Sequence, residues 1–290
     1  MTALVQKCRD YLALTKPRIV LLFTLTGFAA FAVEGNSWAR PGWLVLILCA
    51  IGCTAGSANG LNQYVERRLD ALMVRTRTKR PLPAGRIAPM GALIFSWALG
   101  LLACGILLWQ ANILSAAFAA ATILFYVLFY TMWLKPRTPY NIVIGGAAGA
   151  TAPLIAWAAA TGTIGWVPLI LFLIIFLWTP PHFWALALCY QDDYRTAGFP
   201  MLPIVHGEER TRKEIVAYAL ITAPLPLLLA GWPTVGMIYL VGAVFLGIEF
   251  IRRAVLVRMR PGRATAGRLF AYSIAYLFLL NILLTVDAVL

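Results

Sequence analysis

Charge is the scarcest commodity in this sequence. Asp, Glu, Lys and Arg make up 12% of its 290 residues, where a soluble domain carries roughly 25%. So few charges cannot clothe a water-facing surface, which excludes an ordinary soluble domain and leaves lipid around most of the chain. Acid is rarer still, with 11 Asp and Glu against 24 Lys and Arg. No tandem repeat or low-complexity segment is visible. No small-residue cleavage site follows the first apolar run, so a cleavable signal peptide is not expected. Cys8, Cys49, Cys53, Cys104 and Cys189 lie mostly within apolar runs. Cys49 and Cys53 stand one helical turn apart, and packing suffices to explain them.

Hydrophobic residues are abundant, at 61%. They fall in blocks able to cross a bilayer, which takes roughly 20 residues at about 1.5 Å each. Spans are expected near residues 19–35, 43–62, 91–109, 113–133, 141–160, 166–188, 215–231, 235–251 and 269–289. Pro224 and Pro226 interrupt the seventh, a break that membrane helices tolerate where neighbours satisfy the freed backbone groups. The expected fold is all-α: one polytopic transmembrane bundle of about nine helices filling residues 1–290.

Nine spans would place the N-terminus and the loops after spans two, four, six and eight at one face. These segments hold 23 of the 24 Lys and Arg, and the opposite face holds only Arg40. The positive-inside rule then predicts a cytoplasmic N-terminus and an outside C-terminus. The net charge of +13 reads as topology plus attraction to anionic headgroups of the lipid bilayer. No solvated basic module exists for nucleic acid.

Four of the acidic residues fall in two short segments. In the first, Asn62, Glu66 and Asp70 stand at i, i+4 and i+8. If the second helix continues past the hydrocarbon, they share one face about a turn apart. Three oxygen-bearing side chains form a partial shell for Mg²⁺, which substrate phosphates and water ordinarily complete. Arg75, Arg77, Lys79 and Arg80 follow directly, and metal plus guanidinium is what a diphosphate requires. The competing reading pairs Glu66 and Asp70 with Arg67 and Arg68 on a solvated helix end. The second segment, after span six, carries Asp192-Asp193-Tyr194-Arg195 and falls at the same face by the charge count. Two acidic clusters facing one another can hold metal or grip a diphosphate from both sides; an exposed turn is the alternative. His182 lies in an apolar helix just after Pro180-Pro181. An intramembrane ionisable residue is a functional candidate, or else it bonds a carbonyl freed by the prolines. In the fourth loop, Lys135 and Arg137 could meet phosphate or merely set topology. Gly145 and Gly149, four apart, read as a close helix–helix contact.

Together these segments resemble the intramembrane (UbiA-type) prenyltransferase superfamily, whose first motif matches Asn62, Glu66 and Asp70, with Glu66 where Asp is commoner. Finer features resemble its heme O synthase branch, the protoheme IX farnesyltransferases. They are Leu14-Thr-Lys16-Pro-Arg18, Met73 with Arg75-Thr76 and Arg80-Pro81-Leu82-Pro83, Asn141-Ile-Val-Ile-Gly145-Gly146, Thr179-Pro-Pro-His182-Phe-Trp184, and Asp193-Tyr194 with Pro200-Met-Leu-Pro203. One departure stands out. The superfamily's second motif has two Asp four apart, and that spacing here lands on Tyr190 and Tyr194.

The resemblance implies Mg²⁺-dependent transfer of farnesyl from farnesyl diphosphate to a vinyl group of heme B, giving heme O at the cytoplasmic side of a bacterial inner membrane. Asn62, Glu66, Asp70, Asp192 and Asp193 would hold metal. Arg75, Arg80, Lys135 and Arg195 would bind diphosphate, His182 and Tyr194 would contact the heme or line the cation's path, and heme A synthase or terminal-oxidase assembly factors would lie downstream. An aromatic acid of quinone biosynthesis is the rival acceptor. A transporter is the rival class, though acids clustered at one face and the lack of an internal repeat argue against it.

Overall fold

The structure, a computed structural model, describes residues 3–290, and these are helical with no β-strand among them. In chain order the helices are α1 (Ala3–Leu14), α2 (Pro17–Glu34), α3 (Pro41–Leu72), the single turn α4 (Val74–Arg77), α5 (Pro89–Gln110) and α6 (Ile113–Leu124). A π-helical stretch, Phe125–Leu134, continues α6 without a break. There follow α7 (Asn141–Gly149), α8 (Ala152–Thr161), α9 (Trp166–Cys189), α10 (Gln191–Thr196), α11 (Leu202–Val205), α12 (Gly207–Thr222), α13 (Met237–Met259) and α14 (Arg263–Val289).

Among the described residues, seven stretches are long and apolar enough to cross a membrane: α2, α3, α6 with its π extension, α5, α7 with α8, α9 and α14. They coincide with the first six expected spans and the ninth. The remaining two expected spans are helical but fall short for identifiable reasons. Helix α12 stops at Thr222, ahead of Pro224 and Pro226, and a 3₁₀ segment, Leu225–Leu229, takes over. Helix α13 carries Glu249, which pairs with Arg252 at 2.5 Å and with Arg253 at 2.6 Å.

Proline opens many of these helices. Pro17, Pro41, Pro89 and Pro153 sit in the first turns of α2, α3, α5 and α8, where the missing N–H removes no helical bond and the ring pre-sets φ. Helices α2 and α8 end on Gly35 and Gly162 in the left-handed region, where glycine carries no Cβ penalty.

Helix α3 packs on α5 and α6, and α9 on α7, α12 and α14. Helix α2 touches both α3 and α14, so the first and last long helices close the bundle on itself. Large apolar side chains such as Ile94, Leu101 and Trp109 of α5 point outward, as they must where the surroundings are hydrocarbon. Small residues mediate the inner contacts. A Cβ at Gly145 would fall inside the Tyr130 ring, and one at Gly146 would meet Thr179 at 3.0 Å. The expected partner of Gly145 in this role, Gly149, faces open space. The close approach is made by two adjacent glycines instead, one against the π-helical stretch and one against α9.

Candidate active site

The 32 residues of α3 extend about 48 Å at 1.5 Å per residue, well beyond a hydrocarbon core of roughly 30 Å. Its last three turns carry Asn62, Glu66 and Asp70 on one face, and that face is buried: the three residues are 2%, 3% and 0% exposed. The solvated-helix-end alternative is thereby removed. Neither Arg67 nor Arg68 pairs with these carboxylates; Arg67 donates to the Tyr64 carbonyl and lies over its ring.

The partners come from elsewhere in the chain. Lys135 Nζ lies 2.5 Å from Glu66 Oε1. The Arg80 guanidinium pairs with Asp70 and stands 3.9 Å from Glu66. Lys16 Nζ donates to Asn62 Oδ1 at 3.0 Å. Two carboxylates thus face three cations, in surroundings where an unpaired charge is costly. Asp70 Oδ1 is buried and has no hydrogen-bond partner.

In the sequence Lys16 stands out only within a basic N-terminal segment and the Leu14-Thr-Lys16-Pro-Arg18 stretch that carries the resemblance, with no site role assigned to it. It is the one non-glycine residue with positive φ among the described residues, at φ 56° and ψ 68°. That conformation costs on the order of 1–3 kcal/mol, and such strain persists where surroundings over-determine it. Here Pro17 starts α2 immediately afterwards, and the turn aims the ammonium at Asn62. Thr131 is a second residue that sequence reasoning missed. Its hydroxyl donates to the Tyr126 carbonyl five residues back in the π-helical stretch and accepts from Asn62 Nδ2 at 3.1 Å. With Nδ2 held there, Oδ1 of Asn62 faces the charged cluster.

The loop after α3 is pinned at two points. Arg86 binds Asp10 of α1 at 2.8 Å and the carbonyls of Thr78 and Lys79 at 2.9 and 3.1 Å. The Arg86 hydrogen bond holds the Asp10 carboxyl below its ordinary pKa, against an opposing effect of burial. At the other point, Asp193 accepts from the backbone N–H groups of Val74 and Arg75, both at 3.0 Å, capping α4. The two acidic segments therefore meet, as the charge count suggested. They meet through a helix cap, not as two facing sets of free carboxylates: Asp193 is engaged with backbone, and Asp192 is fully exposed and paired with Arg195 at 3.1 Å. No cluster of three His, Cys, Asp or Glu side chains forms among the described residues.

Arg75 points inward, its guanidinium 5.4 Å from the Tyr190 ring centre and 5.9 Å from that of Tyr194, which is buried. The two tyrosines that occupy the expected Asp spacing thus serve as aromatic faces for this arginine. His182 stands on another wall, at the α9–α14 contact. Its ring lies between Trp178 and Phe270, at 4.3 and 4.7 Å, and Nδ1 bonds the Ser273 hydroxyl at 2.7 Å. A side-chain hydroxyl, not a carbonyl freed by the prolines, satisfies it.

A membrane-embedded helical ring with a buried carboxylate row ringed by cations defines a class of intramembrane enzymes that handle anionic, lipid-tailed substrates. The chain belongs to the UbiA prenyltransferase family, whose profile matches residues 20–282. Protoheme IX farnesyltransferase of Symbiobacterium thermophilum is 48% identical over 97% of this chain and 95% of its own length. That of Gloeobacter violaceus is 46% identical over 97% and 92%. In fold, the chain is similar to a solved structure of digeranylgeranylglyceryl phosphate synthase, with TM-score 0.79, 21% identity and coverage of 98% of this chain and 99% of that one. A UbiA homolog from Archaeoglobus fulgidus bound to DMAPP and Mg²⁺ gives TM-score 0.70 at 20% identity, covering 94% and 99%.

Proposed function

We propose that this protein transfers a farnesyl group from farnesyl diphosphate to a vinyl group of heme B, forming heme O and releasing diphosphate. The observation that carries the reaction type is the buried row Asn62–Glu66–Asp70 with Lys16, Arg80 and Lys135 on its oxygens. The heme acceptor rests on the protoheme IX farnesyltransferases to which the chain is similar over nearly its whole length.

The residues fit Mg²⁺. The donors are hard oxygens, and the buried, unpartnered Asp70 Oδ1 is an acceptor waiting for a cation. Asn62, Glu66 and Asp70 would hold the ion, with Asp192 and Asp193 as further acidic groups at this end of the bundle. When bound, Mg²⁺ supplies positive charge to the leaving diphosphate. Lys16, held on the Asn62 amide oxygen, and Arg80 and Lys135, held on the Asp70 and Glu66 carboxylates, would supply charge to the phosphate oxygens, and Arg75 would add a fourth cation from the capped turn α4. Arg195 offers charge at the rim. Preorganised charge in water-poor surroundings is where most of the rate enhancement arises.

As the C1–oxygen bond of farnesyl diphosphate breaks, the faces of Tyr194 and Tyr130 stabilise the developing allylic cation. The vinyl π electrons form the new carbon–carbon bond. The cation left on the acceptor takes a water, which loses a proton to leave a hydroxyl. His182, held through Nδ1, presents its other ring nitrogen to the heme. If α12 and α13 complete a set of nine crossings beside the seven long apolar stretches, the positive-inside rule supports a reading with this chemistry at the cytoplasmic face of a bacterial inner membrane, the C-terminus outside, and heme O passing to heme A synthase or terminal-oxidase assembly.

The test is turnover of purified, detergent-solubilised protein with heme B, farnesyl diphosphate and Mg²⁺, read by product mass. A Mg²⁺-dependent gain of one farnesyl group plus water is the expected result. Unchanged heme, with farnesyl appearing on an added aromatic acid, would overturn the acceptor while leaving the metal site standing.

A further inference from the structure

A polar cavity of about 400 Å³ opens beside the carboxylate site, between the α9–α10 corner, the start of α12 and the α13–α14 turn. Arg195, Arg212 and Arg263 line it, with Asp192, Glu208 and Gln191. Two of the arginines are matched. Arg212 pairs with Glu208 at 2.6 Å, Glu208 is also held by Gln191 at 2.7 Å, and Arg195 pairs with Asp192. Arg263 has no carboxylate within ion-pair distance among the described residues; its guanidinium lies 5.4 Å from the Tyr190 ring, the ring that Arg75 also covers. Arg263 is also the first residue of α14, a 27-residue helix whose N-cap, Gly262, provides no capping side chain. The unsatisfied amides of that first turn and the positive end of the helix dipole add to the arginine charge. With Arg195 and Arg212 offset by Asp192 and Glu208, the uncompensated charge of the cavity is Arg263 at the start of α14, and that corner favours an anionic oxygen.

We infer that this cavity binds the two propionate carboxylates of the porphyrin acceptor and sets its orientation; the inference rests on the heme reading above. The diphosphate has its own cations in Lys16, Arg75, Arg80 and Lys135, with Arg195 at the rim, so Arg212 and Arg263 of the cavity are surplus to it. The acceptor is otherwise apolar, and its carboxylates need a polar harbour at the membrane boundary. On the same two helices, two turns deeper or about 10 Å, the His182 ring stacks on Phe270. One carboxylate at Arg263, with the second beside the Glu208-paired Arg212, lays the macrocycle along the α9–α14 contact. The vinyl edge, opposite the propionates, then points into the bundle and not into solvent.

The experiment is a Soret-band titration of the detergent-solubilised full chain with hemin and with hemin dimethyl ester, for the native protein, Arg263→Gln and Lys213→Gln. Charge-assisted hydrogen bonds discriminate by about tenfold each. The expected result is that native protein and Lys213→Gln bind the free acid at least about tenfold more tightly than the ester, and that Arg263→Gln loses this preference without weakening ester binding. Equal affinity of native protein for acid and ester would overturn the inference. So would an Arg263→Gln variant that weakens both ligands alike, or inorganic diphosphate displacing hemin from native protein but not from Arg263→Gln, which would make the cavity a product site. Saturable binding of neither porphyrin would overturn the heme reading itself, and this inference with it.

Discussion

Replacing Lys135 by Met tests whether the carboxylate row is a metal site held ready by a removable cation. The Lys135 side chain is 11% exposed and that of Glu66 is 3%. The lysine stem and ammonium also lie against the Phe199 ring, 4.5 Å from its centre. Methionine keeps that packing and removes only the charge. Stripping one partner from a buried pair costs about 3–5 kcal/mol. Arg80 at 3.9 Å recovers part of this, so the expected loss is about 2–3 kcal/mol. At roughly 2–4 °C per kcal/mol for chains of this order of size, Lys135→Met should unfold about 5–10 °C below the native protein without metal. Mg²⁺ then has no ammonium to displace from Glu66. By mass action, its stabilising effect should be larger in the variant than in the native protein. Adding Glu66→Gln should restore most of the lost stability and abolish the enhanced Mg²⁺ response. Thermal unfolding in micelles, with and without Mg²⁺, reads all of these quantities. A Lys135→Met variant that melts with the native protein, or gains no more from Mg²⁺, would refute the reasoning.

Asp70→Asn should lower turnover by at least about a hundredfold while leaving the helical circular dichroism unchanged; retained turnover removes the metal role. Gly145→Ala drives a methyl into the Tyr130 ring and should cost about 1–3 kcal/mol as overpacking, whereas Gly149→Ala should be silent in the same melt. Asp10→Asn should destabilise the protein near neutral pH by loosening the Arg86 clamp. Because the Asp10 carboxyl titrates below its ordinary 3.8, the pair's contribution is fully present above that value. It is lost as pH falls through the lowered pKa, so native and Asp10→Asn melting curves should converge only in acid.

Much of the site was legible because its first layer is local. The spacing of Asn62, Glu66 and Asp70 puts them on one helical face wherever the helix goes, and a length that outruns the hydrocarbon follows from the apolar run plus the residues after it. Asp192 and Asp193 show where such reading stops. Two adjacent acids in a loop look alike in sequence, yet one caps a helix from 119 residues away and the other faces solvent. Gly149 fails similarly, since a spacing of four proposes a contact but only the neighbouring helix supplies one.

The amino-acid sequence by itself determined the medium and the helical class, because hydrophobicity acts through composition and short-range period. It also determined the order of the carboxylate row. Tertiary structure alone decided which cations sit on that row, for Lys16 and Lys135 reach Asn62 and Glu66 across 46 and 69 residues. It decided that a strained turn aims Lys16, that a π-helical stretch offers Thr131 to Asn62, and that Tyr190 lies beneath two arginines. These are contacts between elements distant in sequence, and a helix period carries no information about what packs against it.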